Sequence, residues 1–214
     1  MALSPPTLQQ MIDRFDELGF REFLGRPFDL TLWGIRSRSR RAGQWDDLVG
    51  CMFTDDAHRD HCLSWEATTD PGLHYLLSPS RAPGARGGTA IMVADRQYRG
   101  LWEVRKHRSR YLALCQRAPC ALVRDASGDD MLDVDQLVAA GRVIEGQASI
   151  VGLNLHRAER HGVAETVGPW SAGCQVLRNP WDWCALMELA GLQESAGRGT
   201  TFSYALLNEW RDDE

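Results

Sequence analysis

Chemistry enters this chain through one histidine and one cysteine, His156 and Cys174, eighteen positions apart within residues 150–176. A thiol attacks well only as a thiolate, so it needs a base or a cation within hydrogen-bond reach. His156 closes an alternating apolar run, Ile150 to Leu155, which predicts a buried strand delivering the imidazole at its end. Cys174 closes Trp170-Ser171-Ala172-Gly173-Cys174, where the small residues Ala172 and Gly173 let backbone N–H groups approach whatever the sulfur attacks. Between the two lies a polar, glycine-containing excursion, Arg157 to Pro169. A bare Cys/His pair is also what two ordinary core residues on neighbouring strands look like, so the surrounding pattern has to carry the reading.

That pattern, His156 followed by Ser171-x-Gly173-Cys174, resembles the signature of the L,D-transpeptidase (YkuD-like) family, and more generally its phage and prophage members. The resemblance covers about 30 residues. It implies an L,D-transpeptidase-like β-sandwich in which Cys174 is acylated by a peptidoglycan stem peptide. His156 is then the base, oriented through the main-chain carbonyl of Arg157, and N–H groups around Gly173 and Cys174 hold the oxyanion. Two positions depart from the family: Ala172 replaces a histidine and Val176 replaces a polar residue. A specific amine acceptor is therefore gripped less firmly, and water becomes the expected acceptor.

The elements that must position this pair fit a single catalytic domain. With 214 residues, 43% of them hydrophobic, the chain can bury a proper core. A net charge of −5 argues against a general nucleic-acid binder. Two local basic runs, Arg36 to Arg41 and Arg105 to Arg110, read either as solvated faces or as a surface for carboxylates, which stem peptides carry. No apolar run is long enough to span a bilayer, so no membrane insertion is expected. The N-terminus lacks a basic leader and an apolar core, so synthesis in the cytoplasm without a signal peptide is expected, with action at the cell wall after release or secretion. Six scattered cysteines read as thiols, with a Cys115–Cys120 pairing as the alternative.

Thr7 and Gln10 form a capping-box pattern before Leu8, Met11, Ile12, Phe15 and Leu18, predicting an N-terminal helical extension over 1–27. Residues 28–214 then read as the catalytic domain, mainly β, in short segments separated by Gly, Pro, Ser and Asp. A turn at Arg99-Gly100 predicts a hairpin joining residues 90–93 to 101–104. Tyr98 and His107 near it, with Trp170 and Ser171 at the cysteine turn, are the expected substrate-facing residues. Residues 78–88 read as a flexible loop bordering the cleft. Pro180 to Ala190 predicts a helix ending at Gly191, and 200–210 a closing strand. His58 and His61 could ligate zinc, and Asp125, Ser127, Asp129 and Asp133 follow the first positions of a calcium loop. Both patterns are incomplete, so neither metal nor cofactor is expected.

The composite expectation is a peptidoglycan-directed thiol peptidase of the phage-lysis or secreted-effector type. An L,D-transpeptidase that cross-links or exchanges stems is the nearest alternative. A wall-binding or virion protein without catalysis is the alternative from another class, and a zinc peptidase built on His58 and His61 is a third.

Overall fold

The computed structural model describes residues 3–82 and 87–210. The first helix, α1 (Leu8–Glu17), starts as its sequence dictates: Thr7 Oγ1 accepts from Gln10 N–H at 3.2 Å, and Gln10 Oε1 accepts from Thr7 N–H at 2.9 Å. Its apolar stripe then needs a partner. Met11 and Phe15 find it in Trp33, Ile35, Leu48, Met52 and Leu207, all on one parity of three strands. Helix α1 of the N-terminal extension is thus packed on the barrel wall.

Those strands are β1 (Thr31–Arg36), β2 (Asp47–Thr54) and β10 (Thr201–Asn208). With β3 (Asp60–Thr68), β5 (Arg96–His107), β6 (Tyr111–Gln116), β8 (Leu155–Arg157) and β9 (Gln175–Leu177) they form a closed barrel ordered β1-β10-β5-β6-β8-β9-β3-β2. The protein is mainly β, as expected. The strand order gives a closed ring in place of the expected two facing sheets, because β1 pairs with β10 in parallel and with β2 antiparallel, leaving it no free edge. Alternation does the rest: Leu32, Val49, Cys51, Tyr204 and Leu206 enter the main core, while the opposite parity of the same strands lies under α1.

Two strands stand apart, β4 (Thr89–Met92) and β7 (Leu122–Asp125), paired antiparallel with Ala90 opposite Arg124. Three short or late helices complete the fold: α2 (Leu73–Leu76), α3 (Val134–Ala139) and α4 (Pro180–Ser195). Asn179 caps α4, its side chain accepting from Trp181 N–H at 3.0 Å, with Pro180 in the first turn. The helix continues past Gly191 because Gln193 is anchored inside, accepting from Leu30 N–H at 3.1 Å and donating to Gly199 and Thr201 carbonyls.

Several expectations are corrected. The Arg99-Gly100 turn does not exist: β5 runs straight through it, and the reversal falls earlier, at Asp95, whose φ is 53° and whose carboxylate accepts from Asn208. The strand over 150–155 shrinks to its last residue, because the N–H groups of Val151, Gly152 and Leu153 all donate to the Gln116 side-chain oxygen, at 3.1, 2.8 and 2.9 Å. One amide replaces a neighbouring strand there. Cys115 and Cys120 are free thiols, as expected. The calcium-loop pattern is closed on itself: Asp125 accepts from Ser127 N–H and Oγ–H and from Asp133 N–H. His61 meets Asp55 at 2.9 Å, and among the described residues no three His, Cys, Asp or Glu converge on a metal-holding group. Of the loop 78–88, residues 83–86 lie outside the described residues. No described helix is long and apolar enough to cross a membrane.

Candidate functional site

Parallel pairing of β8 and β9 sets Leu155 opposite Gln175 and His156 opposite Val176. Leu155 joins the main core, and Gln175 Oε1 accepts from the buried Tyr204 hydroxyl at 2.9 Å. The other parity therefore carries Asn154, His156, Cys174 and Val176 on the opposite face. The β5–β6 hairpin brings His107 and its cross-strand partner Tyr111 to the same place: the His107 and His156 rings stack at 4.4 Å between centroids, 25° from coplanar. Cys174, His156 and His107 are assembled at one site.

Each polar atom has a definable role. His156 Nδ1 lies 2.8 Å from the Arg157 carbonyl oxygen, which can only accept, so Nδ1 carries the proton and Nε2 keeps its lone pair. Tyr111 braces this arrangement, its hydroxyl 3.3 Å from the same carbonyl and 3.4 Å from Nδ1. The Arg157 guanidinium lies over the Tyr111 ring at 4.3 Å. Cys174 Sγ donates to Gly152 O and accepts from Asn154 N–H, both at 3.5 Å. Among the described residues no hydrogen bond joins Cys174 to His156.

Burial sets the protonation states. It pushes the Cys174 thiol up to about 11, against the opposing pull of the Asn154 N–H and the Arg108 charge. It drives His156 down to about 3, helped by His107 and by the charges of Arg108 and Arg157. At neutral pH the resting site is a thiol beside a neutral imidazole. Preferential labelling of Cys174 by thiol reagents at mildly acidic pH, expected of a preformed thiolate, does not follow from this arrangement.

The cysteine turn is built differently from expectation. Ser171 is fully buried; its Oγ donates to Cys174 O at 2.8 Å and accepts from Gly173 N–H at 3.1 Å. Ser171 therefore braces the turn instead of facing substrate. Gly173 N–H is spent on that brace, so of the two N–H groups expected to hold an oxyanion only that of Cys174 stays without a partner among the described residues. Glycine is required at 173, where φ is +108° and an added Cβ would sit 2.1 Å from the Ala90 carbonyl oxygen of β4. Gly173→Ala is expected to destabilise the protein by about 2 kcal/mol or more, through positive φ and a clash with fixed backbone. Chemical denaturation reads this directly, and an unchanged midpoint would contradict it.

Tyr98 is corrected as well. It sits at the far end of β5 inside the core, its hydroxyl donating to the carbonyls of Val93 and Ala121, so it does not line this site. Trp170 stays at the surface of the cysteine turn, 37% exposed, where a ligand can reach it. Asn154 and Tyr111 complete the constellation. The signal for Asn154 was its place two residues before His156 on the same strand face, a lone amide in an apolar run. None of the known protein-family models matches this chain, and neither does any curated protein or solved structure.

Proposed function

We propose that this protein is a peptidoglycan-directed thiol enzyme that works through an acyl-enzyme at Cys174. The observation that carries the reading is the His156 ring, fixed by the Arg157 carbonyl so that Nε2 is unprotonated, on a strand that pairs in parallel with the one Cys174 leads into. As the sulfur attacks a peptide carbonyl, the thiol proton passes to His156 Nε2 and a tetrahedral oxyanion forms beside the Cys174 N–H. Collapse breaks the C–N bond, and His156 returns the proton to the departing amine. Attack by an acceptor on the thioester then frees Cys174. The Arg108-to-Arg110 hairpin tip supports an anionic substrate such as a stem-peptide carboxylate, since the Arg108 charge acts on both His156 and Cys174. Kinship of the barrel with the L,D-transpeptidase sandwich, and action at the cell wall, belong to the same proposal.

Net hydrolysis is the expected outcome, because Ala172 and Val176 offer no side-chain hydrogen bond to an incoming amine. Product analysis on purified peptidoglycan, with and without added D-amino acid, tests this. Shortened stems should dominate in both reactions; exchanged stems or new cross-links would make the protein a transpeptidase. A second reading, a wall-binding or virion protein without turnover, is favoured by one observation, the protonated thiol that makes no hydrogen bond to His156.

A further inference from the structure

We propose that His107 is an electrophilic catalytic residue, its neutral Nε2–H donating to the oxyanion that forms when Cys174 attacks. The inference rests on the acyl-enzyme reading and adds to it a side-chain donor in place of the Gly173 N–H. Gly173 N–H is occupied by Ser171 Oγ, so of the two backbone donors expected at the turn the Cys174 N–H remains.

The second donor follows from Asn154. Its Oδ1 accepts from the backbone N–H of Gln116 at 2.8 Å, which fixes which way the amide faces. Its Nδ2 therefore points to His107 Nδ1, at 3.0 Å. An amide NH₂ donates only to a lone pair, so His107 Nδ1 is bare and Nε2 carries the proton. The two stacked rings are thus held in opposite tautomers: His156 presents a lone pair and His107 presents an N–H.

Both must stay neutral for this division to work. Burial, with the charges of Arg108 and Arg110, holds His107 down at about 4. A neutral imidazole is too weak an acid to give up Nε2–H, so His107 donates a hydrogen bond throughout and no proton leaves it. The thiol proton goes to His156 Nε2 and from there to the leaving amine, as above.

The test is acylation of Cys174 by an aryl ester of an N-acyl-D-amino acid and by its thiono counterpart, whose sulfur accepts hydrogen bonds poorly. The wild type should favour the oxygen ester. In His107→Leu the oxygen-ester rate should fall at least tenfold while the thiono rate changes little, so the oxygen-to-sulfur ratio falls with it. His107→Gln, which keeps an N–H, should recover part of the ratio, and Asn154→Leu, which frees the tautomer, should lose part of it. If His107→Leu lowers both esters equally, His107 only packs against His156 and the proposal is overturned. If the wild type is acylated by neither ester, the acyl-enzyme reading itself falls, and this proposal with it.

Discussion

Replacing Cys174 with alanine is expected to abolish turnover of stem peptides while the protein still folds. The sulfur's two hydrogen bonds are long, at 3.5 Å, and its packing partners are the small or β-branched Ala158, Ala164 and Val176. Losing one sulfur there should cost about 1 kcal/mol, well within the stability of an ordinary domain. Activity has no such reserve, since the reaction forms its bond to that atom. Circular dichroism and a muropeptide assay on the same sample separate the two effects. Residual turnover in Cys174→Ala would remove the nucleophile from the account, whereas Cys51→Ala should change stability alone, since Cys51 is fully buried in the barrel core.

His156→Gln is expected to lower the acylation rate by about 10² or more, the usual worth of a positioned general base. The pH profile gives a sharper reading. An exposed histidine would lose its base function as pH falls through 6.5, but His156 is held down near 3, so the free enzyme keeps an unprotonated Nε2 through mildly acidic pH. The acid limb of kcat/KM should therefore fall below about pH 4. In the glutamine variant the limb that remains should be that of His107, held down at about 4. A wild-type limb centred near 6.5 would mean that the base is an exposed group elsewhere, and full activity in His156→Gln would mean the same.

What the sequence disclosed, it disclosed through local rules. The capping box at Thr7, the Asn179-Pro180 start of α4 and the closing strand at 201–208 each depend on neighbours in the chain, and each forms. The pairing of His156 with the Arg157 carbonyl is equally local, one residue along. Local rules do not reach the places where a distant side chain substitutes for backbone. Gln116 captured three amides that alternation assigned to a strand, and Gln193 held α4 intact through a glycine that should have ended it. Tyr98 lies away from its expected place for a related reason: Gly100 reads as a turn, but with φ of 56° it sits within β5, near the register shift against β10. The site is only half visible to motif reasoning, because His107 and Asn154 come from elements 47 residues apart that meet only when the barrel closes.

The central claim is that Cys174 becomes covalently acylated by a stem peptide, and mass spectrometry of the protein itself tests it most directly. After brief incubation with purified stem peptides and an acid quench, the intact mass should rise by one acyl-peptide fragment. Proteolysis should place that addition on the fragment containing Cys174, and the adduct should be absent from Cys174→Ala. It should accumulate more slowly in His156→Gln, with the same site of attachment. An unmodified protein under conditions where stems are consumed, or an adduct on any other residue, would contradict the account.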